Sequence, residues 1–261
     1  MTRSMLAASL VCGALVLLGP AARAEEKAKM NDVLEKREFK PGKATLRYRL
    51  MKPAAVEEKK SYPLVIFLHG AGERGDDNTA QLKHGVRDFV ANRDKYPCFL
   101  IAPQCPNGRW WVDGTVRGRK PTKADPSTEP GTLVVSLIDE LAKEFPIDRD
   151  RIYLTGLSMG GYGTWELLCR KPDLFAAGMP ICGGGDPKRA DKLVKIPIWA
   201  FHGDKDTAVP VAQSRDMIAA IKKAGGEPKY TEYPGVGHDS WTQTYHNPDV
   251  LAWLFAQRRG K

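Results

Sequence analysis

Short apolar runs alternate with amphipathic segments along most of the chain. Several runs are continuously apolar, which is typical of strands covered on both faces of a parallel sheet. They lie at residues 45–50, 64–70, 99–104, 151–156, 176–184, 196–203 and 229–235. Between them, apolar positions recur every four residues from Leu133 to Phe145, and residues 214–226 end in Gly-Gly, as a helix does. The pattern predicts an α/β fold, a mostly parallel central sheet flanked by helices, with function at the carboxyl ends of the strands.

The first residues follow a different pattern. An arginine near the start precedes an apolar run from Met5 to Leu18, and the small-residue triplet Ala22-Arg23-Ala24 follows. This order predicts a secretory signal peptide over residues 1–24 and a secreted or periplasmic protein. A membrane anchor is the alternative, but about 14 apolar residues fall short of the roughly 20 that a spanning helix needs. We interpret residues 25–44 as an N-terminal extension and residues 45–258 as one catalytic domain.

Charge and cysteine content narrow the function classes. Removal of Arg3 and Arg23 lowers the net charge from +9 to +7, and no nucleic-acid motif is present, so we expect no nucleic-acid partner. The basic stretch 117–123 is interpreted as a solvated loop, with attraction to acidic polysaccharide as the alternative. Neither a CxxC pair nor a His/Cys spacing typical of a metal site occurs, so no metal is expected. Four cysteines follow the predicted signal peptide and are interpreted as small buried core residues: Cys98, Cys105, Cys169 and Cys182.

The octet GLSMGGYG at residues 156–163 places one serine among four glycines, directly after the apolar run RIYLT and before a helical segment. This is G-x-S-x-G between strand and helix, a nucleophile elbow. Glycines two residues before and after Ser158 let strand and helix pass closely while the hydroxyl stands clear of the backbone. The sequence therefore predicts Ser158 as a catalytic nucleophile.

A serine hydroxyl needs a base, and an acid that orients the base. The chain has five histidines: His69, His84, His202, His238 and His246. His238 lies in the glycine-loosened loop YPGVGHDSW after the last predicted strand, where an imidazole can return to the elbow, so it is the predicted base. His69 and His202 end strands in His-Gly pairs and are expected to brace loops.

The acid is expected after the preceding strand, in FHGDKDTAVP, where Asp204 and Asp206 compete. We favour Asp206, with Asp204 as a capping residue. The resulting chain order, Ser158, Asp206, His238, is that of α/β-hydrolases. For the oxyanion that forms on attack, the backbone N–H of Met159 is one predicted donor and that of Ala71 the other, with Gly72 as the alternative to Ala71.

Five motifs in this order resemble one family: HGAGERGDDN, APQCP, TGLSMGGYGTW, HGDKDTAVP and GHDSW. They are similar to the secreted feruloyl-esterase and polyhydroxybutyrate-depolymerase-like group of α/β-hydrolases, which is related to prolyl-oligopeptidase-like enzymes. The similarity runs from about Leu64 to Trp241. It implies an α/β-hydrolase fold and ester hydrolysis without metal or organic cofactor, and its HGxxDxxVP pattern also selects Asp206.

The remaining expectations concern the substrate. Little chain separates the predicted strands near Gly184 and Ile196, so no separate cap domain is expected. Four aromatic residues are predicted to line the substrate site: Trp110, Trp111, Tyr162 and Trp241. The favoured function is a secreted serine carboxylic-ester hydrolase acting on feruloyl, acetyl or other polymer-linked or small acyl esters. The alternatives are a serine peptidase of the prolyl-oligopeptidase type, which normally carries a large gating domain, and a non-catalytic carbohydrate-binding protein on a hydrolase scaffold.

Overall fold

The computed structural model describes residue 30 and residues 32–113 and 125–260. The predicted signal peptide and the basic stretch 117–123 lie outside these residues. Within the described part of the chain, no helix is both long and apolar enough to cross a membrane.

One sheet of eight strands forms the centre of the molecule. In chain order the strands are β1 Leu34–Phe39, β2 Leu46–Met51, β3 Tyr62–Leu68, β4 Phe99–Gln104, β5 Ile147–Leu157, β6 Ala177–Ile181, β7 Trp199–Gly203 and β8 Lys229–Tyr233. Their order across the sheet is β1-β2-β4-β3-β5-β6-β7-β8. β2 pairs antiparallel with β1 and β4, and all other neighbours are parallel. The predicted, mostly parallel α/β sheet is confirmed.

Helices cover both faces of the sheet, as the continuously apolar strands require. They are α1 Val86–Ala91, α2 Pro130–Glu144, α3 Met159–Arg170, α4 Ala212–Lys223, α5 Trp241–His246 and α6 Pro248–Ala256. Apolar residues of α2, α3 and α4 share one buried cluster with β2, β3 and β5. A second cluster joins α1, α5 and α6 to the opposite face. The carboxyl ends of β3, β5, β7 and β8 are thereby held at one edge of the sheet.

The first strand lies inside the stretch that we interpreted as an N-terminal extension. β1 pairs with β2 from Leu34 opposite Met51 to Phe39 opposite Leu46, and the Leu34 side chain is fully buried. The guanidinium of Arg49 donates a 2.8 Å hydrogen bond to the Leu34 carbonyl. The boundary at residue 45 is therefore corrected, since the sheet begins at Leu34. The charged sequence LEKREF conceals this strand because an edge strand exposes most of its side chains.

The connection from β6 to β7 is short, as expected for a site without a cap inserted there. It contains one 3-10 helix, Pro187–Leu193. Its first turn is capped by the Asp186 carboxylate, which accepts from the Lys188 amide at 3.1 Å. The edge of the sheet at the end of β6 is therefore not covered by an insertion from this connection.

Candidate active site

A strained turn joins β5 to α3 at Ser158. The residue has φ +52° and ψ −114°, a conformation that side chains with a Cβ rarely adopt. A Cβ on Gly156 would lie 2.6 Å from the Gly160 carbonyl oxygen, and one on Gly160 would overlap the carbonyl oxygen of Leu68. Both glycines are therefore required by the close approach of the helix start to β3 and β5. Strain of this kind persists where the surrounding structure holds it, and it raises the hydroxyl above the sheet edge.

Three side chains that are far apart in the sequence form one chain of hydrogen bonds. Ser158 Oγ lies 2.9 Å from His238 Nε2, and His238 Nδ1 lies 2.7 Å from Asp206 Oδ2. With a proton on Nδ1, the imidazole donates to the carboxylate and Nε2 accepts from the serine hydroxyl. The side chain of Asp206 is fully buried, whereas that of His238 is 28% exposed. This geometry lets the imidazole take the serine proton while the buried carboxylate stabilises the charge that results.

The Asp206 carboxylate is held ionised by the donors around it. Burial raises its pKa, but the His238 imidazole and the amides of Ala208 and Val209 donate to it, and the pKa lies below its ordinary value. Both amides reach Oδ1 at 2.8 Å. Asp204 instead accepts from the Gly235 amide at 2.7 Å, as a residue that fixes the neighbouring loop. The structure thus brings Asp206, not Asp204, to His238.

His202 contributes a second imidazole to this acid. Its Nε2 lies 3.1 Å from Asp206 Oδ2 and 3.0 Å from the Val209 carbonyl oxygen. Burial lowers the pKa of His202, so the ring is neutral near pH 7. Because both neighbours of Nε2 are acceptors, the proton of the ring lies on Nε2. Nδ1 lies 2.8 Å from the Ser214 hydroxyl, which is also 3.1 Å from the Gly183 carbonyl oxygen. The sequence predicted only loop bracing for His202, and its contact with Asp206 was not predicted. The signal available in the sequence was that Asp206 follows His202 by four residues.

The other three histidines lie apart from the nucleophile's hydroxyl. His69 is buried and joins two loops, since its Nε2 accepts from the Cys105 amide at 2.9 Å and its Nδ1 lies 2.6 Å from the Gly70 carbonyl oxygen. His84 is partly buried beside Glu73. His246 is exposed at the end of α5.

The two amides predicted as oxyanion donors, those of Ala71 and Met159, each lie at the start of a helical turn. Met159 is the first residue of α3 and Ala71 the first residue of the 3-10 turn Ala71–Glu73, so neither N–H has an acceptor within its own turn. A Cβ on Gly70 would lie 3.7 Å from Ser158 Cβ, which puts the loop that carries Ala71 directly beside the nucleophile. The start of α3 also brings its positive dipole end to the same place.

The prediction that Trp111 lines the substrate site is wrong. Trp111 has no exposed surface, and its indole N–H donates to the His69 carbonyl oxygen at 2.9 Å. Its ring lies edge-on to His69 with centroids 4.9 Å apart. Trp111 packs the loop after β4 onto the core beneath His69, so it offers no face to a substrate ring. The sequence could not distinguish the two adjacent tryptophans.

The other three aromatic residues keep some exposure at this edge. Trp110 is half-buried with the Arg74 guanidinium 5.9 Å from its ring centroid. Trp241 meets the His238 ring edge-on at 5.2 Å. Tyr162 is nearly buried, and burial raises its pKa. The described structure therefore leaves Trp110, Tyr162 and Trp241 as candidates for substrate contact.

Cys182 lies beside the acid and the base. The potential ligand atoms of Cys182, Asp206 and His238 lie within 4.8 Å of one another. Burial raises the pKa of this thiol, so it is protonated, and the oxygen and nitrogen atoms are engaged in the hydrogen bonds described above. Metal ligation requires a thiolate, so this set fits hydrogen bonding better than a metal. All four predicted core cysteines are free and buried.

Comparison with known proteins identifies the family of the chain. The model of the phospholipase/carboxylesterase family matches residues 52–247. The chain belongs to this family. The family is one of hydrolases, and the sheet and helices described above are those of the α/β-hydrolase fold.

Similar proteins include several esterases. The crystal structure of a thermostable esterase superposes with a TM-score of 0.80 at 40% identity, covering 87% of this chain and 64% of that one. A bifunctional acetylxylan esterase/xylanase of Neocallimastix patriciarum is 36% identical over 157 residues, 60% of this chain. A probable feruloyl esterase C of Aspergillus flavus is 24% identical over 76% of this chain and 68% of its own length. The chain spans only 21% of the length of the acetylxylan esterase/xylanase.

Proposed function

We propose that this carboxylesterase-type hydrolase is a secreted serine esterase that works through an acyl-enzyme. The observation that carries the proposal is the continuous hydrogen-bond chain from Ser158 Oγ through the His238 ring to Asp206 Oδ2, at 2.9 and 2.7 Å. It starts at a strained serine and ends at a buried carboxylate. Such a chain activates a hydroxyl that is otherwise a weak nucleophile.

The proposed reaction has two halves. Ser158 Oγ attacks the ester carbonyl while His238 Nε2 takes its proton, and the amides of Ala71 and Met159 stabilise the oxyanion. The imidazolium then gives the proton to the departing alcohol, which leaves an acyl-serine. Water, activated by the same imidazole, attacks the acyl-serine and releases the acid. Asp206 stabilises the imidazolium in both halves without taking up its proton.

The proposed substrates are acetyl, feruloyl or other acyl esters, small or linked to a polymer. Support comes from the names of the acetylxylan and feruloyl esterases that resemble this chain. It also comes from the half-buried Trp110 at the same sheet edge, since aromatic rings stack on phenolic and sugar rings.

The decisive experiment compares wild type and Ser158→Ala on p-nitrophenyl acetate and on a prolyl p-nitroanilide. We expect wild type to cleave the ester in preference to the amide, and Ser158→Ala to lose about 10⁴–10⁶ of kcat with its circular dichroism unchanged. Preferential amide cleavage would favour the peptidase alternative. Retained ester hydrolysis in the variant would refute the assignment of the nucleophile.

Secretion is proposed from the order of charged, apolar and small residues in positions 1–24. Expression of the full chain in a bacterium, followed by N-terminal sequencing of the exported protein, tests it. A mature terminus at Glu25 is the expected result, and a chain retained uncleaved in the cytoplasm would contradict it.

A further inference from the structure

The motif HGAGERGDDN contains a nearly buried carboxylate, that of Glu73, which has no role in the proposed mechanism. The Glu73 side chain is 8% exposed. Its backbone N–H donates to the Gly70 carbonyl oxygen, and its carbonyl oxygen accepts from the side-chain amide of Gln104. Among the described residues, no N–H or O–H donates to the carboxylate within hydrogen-bond distance, since His84 Nε2 lies 3.7 Å from Oε1. The carboxylate is therefore little exposed and keeps acceptor capacity for a ligand.

This carboxylate lies beside the nucleophile. The position that a Cβ on Gly70 would occupy is 3.0 Å from Glu73 Oε2 and 3.7 Å from Ser158 Cβ. The carboxylate oxygen and the serine Cβ therefore both lie close to Gly70, which has no side chain to fill the space next to them. The absence of a Cβ leaves the oxygen close to the reacting centre.

Ring contacts connect the same carboxylate to the catalytic base. The His84 ring, next to Glu73, is 5.3 Å from Trp241, and Trp241 is 5.2 Å from His238. We call Glu73, His84 and Trp241 the alcohol-side wall, because in the proposed mechanism His238 delivers its proton to the departing alcohol. The wall runs from the base to the loop that carries Ala71.

Charged groups of both signs lie around the wall. Burial lowers the pKa of His84, although Glu73 and Asp239 raise it, so the ring is neutral near pH 7. Lys83 and Arg87 also act on this ring and lower its pKa. These two positive charges offset the acidic groups Glu73 and Asp239, so the site has no marked excess of either sign, and a neutral hydroxyl group can bind there without a charge of its own. An ionised carboxylate offers two oxygens that accept from adjacent hydroxyls.

We propose that the alcohol-side wall is a subsite for the alcohol portion of the ester, and that Glu73 accepts hydrogen bonds from free hydroxyls beside the ester oxygen. The preferred alcohol is then a polyol or a sugar. An alkyl alcohol leaves the buried carboxylate without a partner, which is the condition under which a polar site discriminates most strongly. This inference rests on the proposed esterase function and specifies the side of the substrate that the function leaves open.

The test uses two acetate esters that differ only in the alcohol, an acetylated methyl xyloside and ethyl acetate. The selectivity is the ratio of their kcat/KM values, measured for wild type, Glu73→Gln and the control Asp76→Asn, which alters an exposed carboxylate on the same loop. We expect Glu73→Gln to lower the selectivity about tenfold, because the hydroxyls then donate to a neutral amide oxygen instead of a charged carboxylate. Asp76→Asn should leave it unchanged. Equal losses on both esters, or no change in the ratio, would overturn the subsite.

A second measurement needs no variant. The acetyl group on Ser158 passes to an alcohol in place of water, which forms the new ester and restores the serine hydroxyl. Wild type should transfer acetyl to methyl xyloside about tenfold more efficiently per mole than to ethanol. Equal transfer would refute the subsite while leaving the esterase proposal intact. If wild type hydrolysed none of the three esters, that is, the acetylated methyl xyloside, ethyl acetate and p-nitrophenyl acetate, the proposed function itself would be refuted.

Discussion

His202 and His238 contact the same oxygen of one carboxylate. His238 Nδ1 lies 2.7 Å and His202 Nε2 lies 3.1 Å from Asp206 Oδ2. The first ring is partly exposed and the second is fully buried. The Asp206 carboxylate is therefore also contacted by a fully buried ring, and we infer that His202 is a positioning residue that acts through Asp206.

Replacement of His202 should alter catalysis through this oxygen. In His202→Asn the carboxylate loses one donor and attracts the proton on His238 more strongly, so the acid limb of the kcat/KM profile should move to higher pH. We expect kcat to fall about tenfold with little change in KM, since a hydrogen bond to a charged group is lost. Kinetics across pH 5 to 9 check this, in the range where histidine ordinarily titrates.

Three more titratable groups lie within the electrostatic reach of this pair, since Asp206 raises the pKa values of Cys182 and Tyr162 and His202 lowers that of Glu232. All three are retained in the His202 variant and in its control. Ser214→Ala is the matched control, because it removes the hydroxyl on the other nitrogen of His202 and leaves the contact with Asp206 in place. A His202 variant that loses stability but keeps the wild-type pH profile would show a purely structural role.

The two neighbouring aspartates should behave differently. Asp206→Asn keeps the size of the side chain but replaces an ionised acceptor, so His238 loses the partner that fixes its proton on Nδ1, and kcat should fall by about 10⁴. Asp204→Asn removes only the acceptor of the Gly235 amide and should lower kcat far less. Steady-state kinetics on p-nitrophenyl acetate distinguish the two, and a larger effect at Asp204 would reverse the assignment.

The adjacent tryptophans should separate stability from recognition. Trp111→Ala removes a fully buried ring that also contacts Gly163, so it should cost about 3–5 kcal/mol of unfolding free energy and lower activity on small and bulky esters together. Trp110→Ala removes a half-buried ring and should lower kcat/KM mainly for a feruloyl ester. Urea unfolding and kinetics on methyl ferulate and ethyl acetate check both. A stable Trp111→Ala protein would contradict the packing role.

The free energy of unfolding should decrease as the pH is lowered, through His69. Burial lowers the pKa of His69 to about 4, whereas the unfolded chain titrates near its ordinary value of about 6.5. Between pH 6.5 and about 4, the unfolded chain binds a proton at this residue and the folded protein does not. The contribution of His69 to the free energy of unfolding is therefore fully present above pH 6.5 and is lost progressively towards pH 4. The loss amounts to about 3 kcal/mol.

Urea unfolding at pH 7.5 and 4.5 measures this loss. His69→Gln should lower stability at pH 7.5, because the bridge between Cys105 and Gly70 changes, but it should show a smaller difference between the two pH values than wild type. An equal pH dependence in both proteins would show that His69 is not the group responsible. His202 is retained in both, so its own titration cancels in the comparison.

Periodic and strongly local signals were readable from the chain alone. Continuous apolar runs predicted the strands covered on both faces, and the spacing from Leu133 to Phe145 predicted α2. The turn at Ser158 was also predictable, since glycines at fixed offsets are required where a Cβ would lie only 2.6 Å from a backbone carbonyl oxygen, as at Gly156. The edge strand β1 was not predicted, because most of its side chains are charged and exposed and do not alternate between apolar and polar.

By itself, the sequence determined the α/β class, the elbow and the order of the serine, acid and base, because each depends on local backbone geometry or on the order of strands. Only the tertiary structure decided which of two adjacent tryptophans is buried, that His202 reaches the oxygen that His238 contacts, and that the Glu73 carboxylate lies close to Gly70 and Ser158. The physical reason is that burial and side-chain contact depend on elements distant in the chain. Neighbouring residues of the same type carry no local signal that distinguishes one from the other.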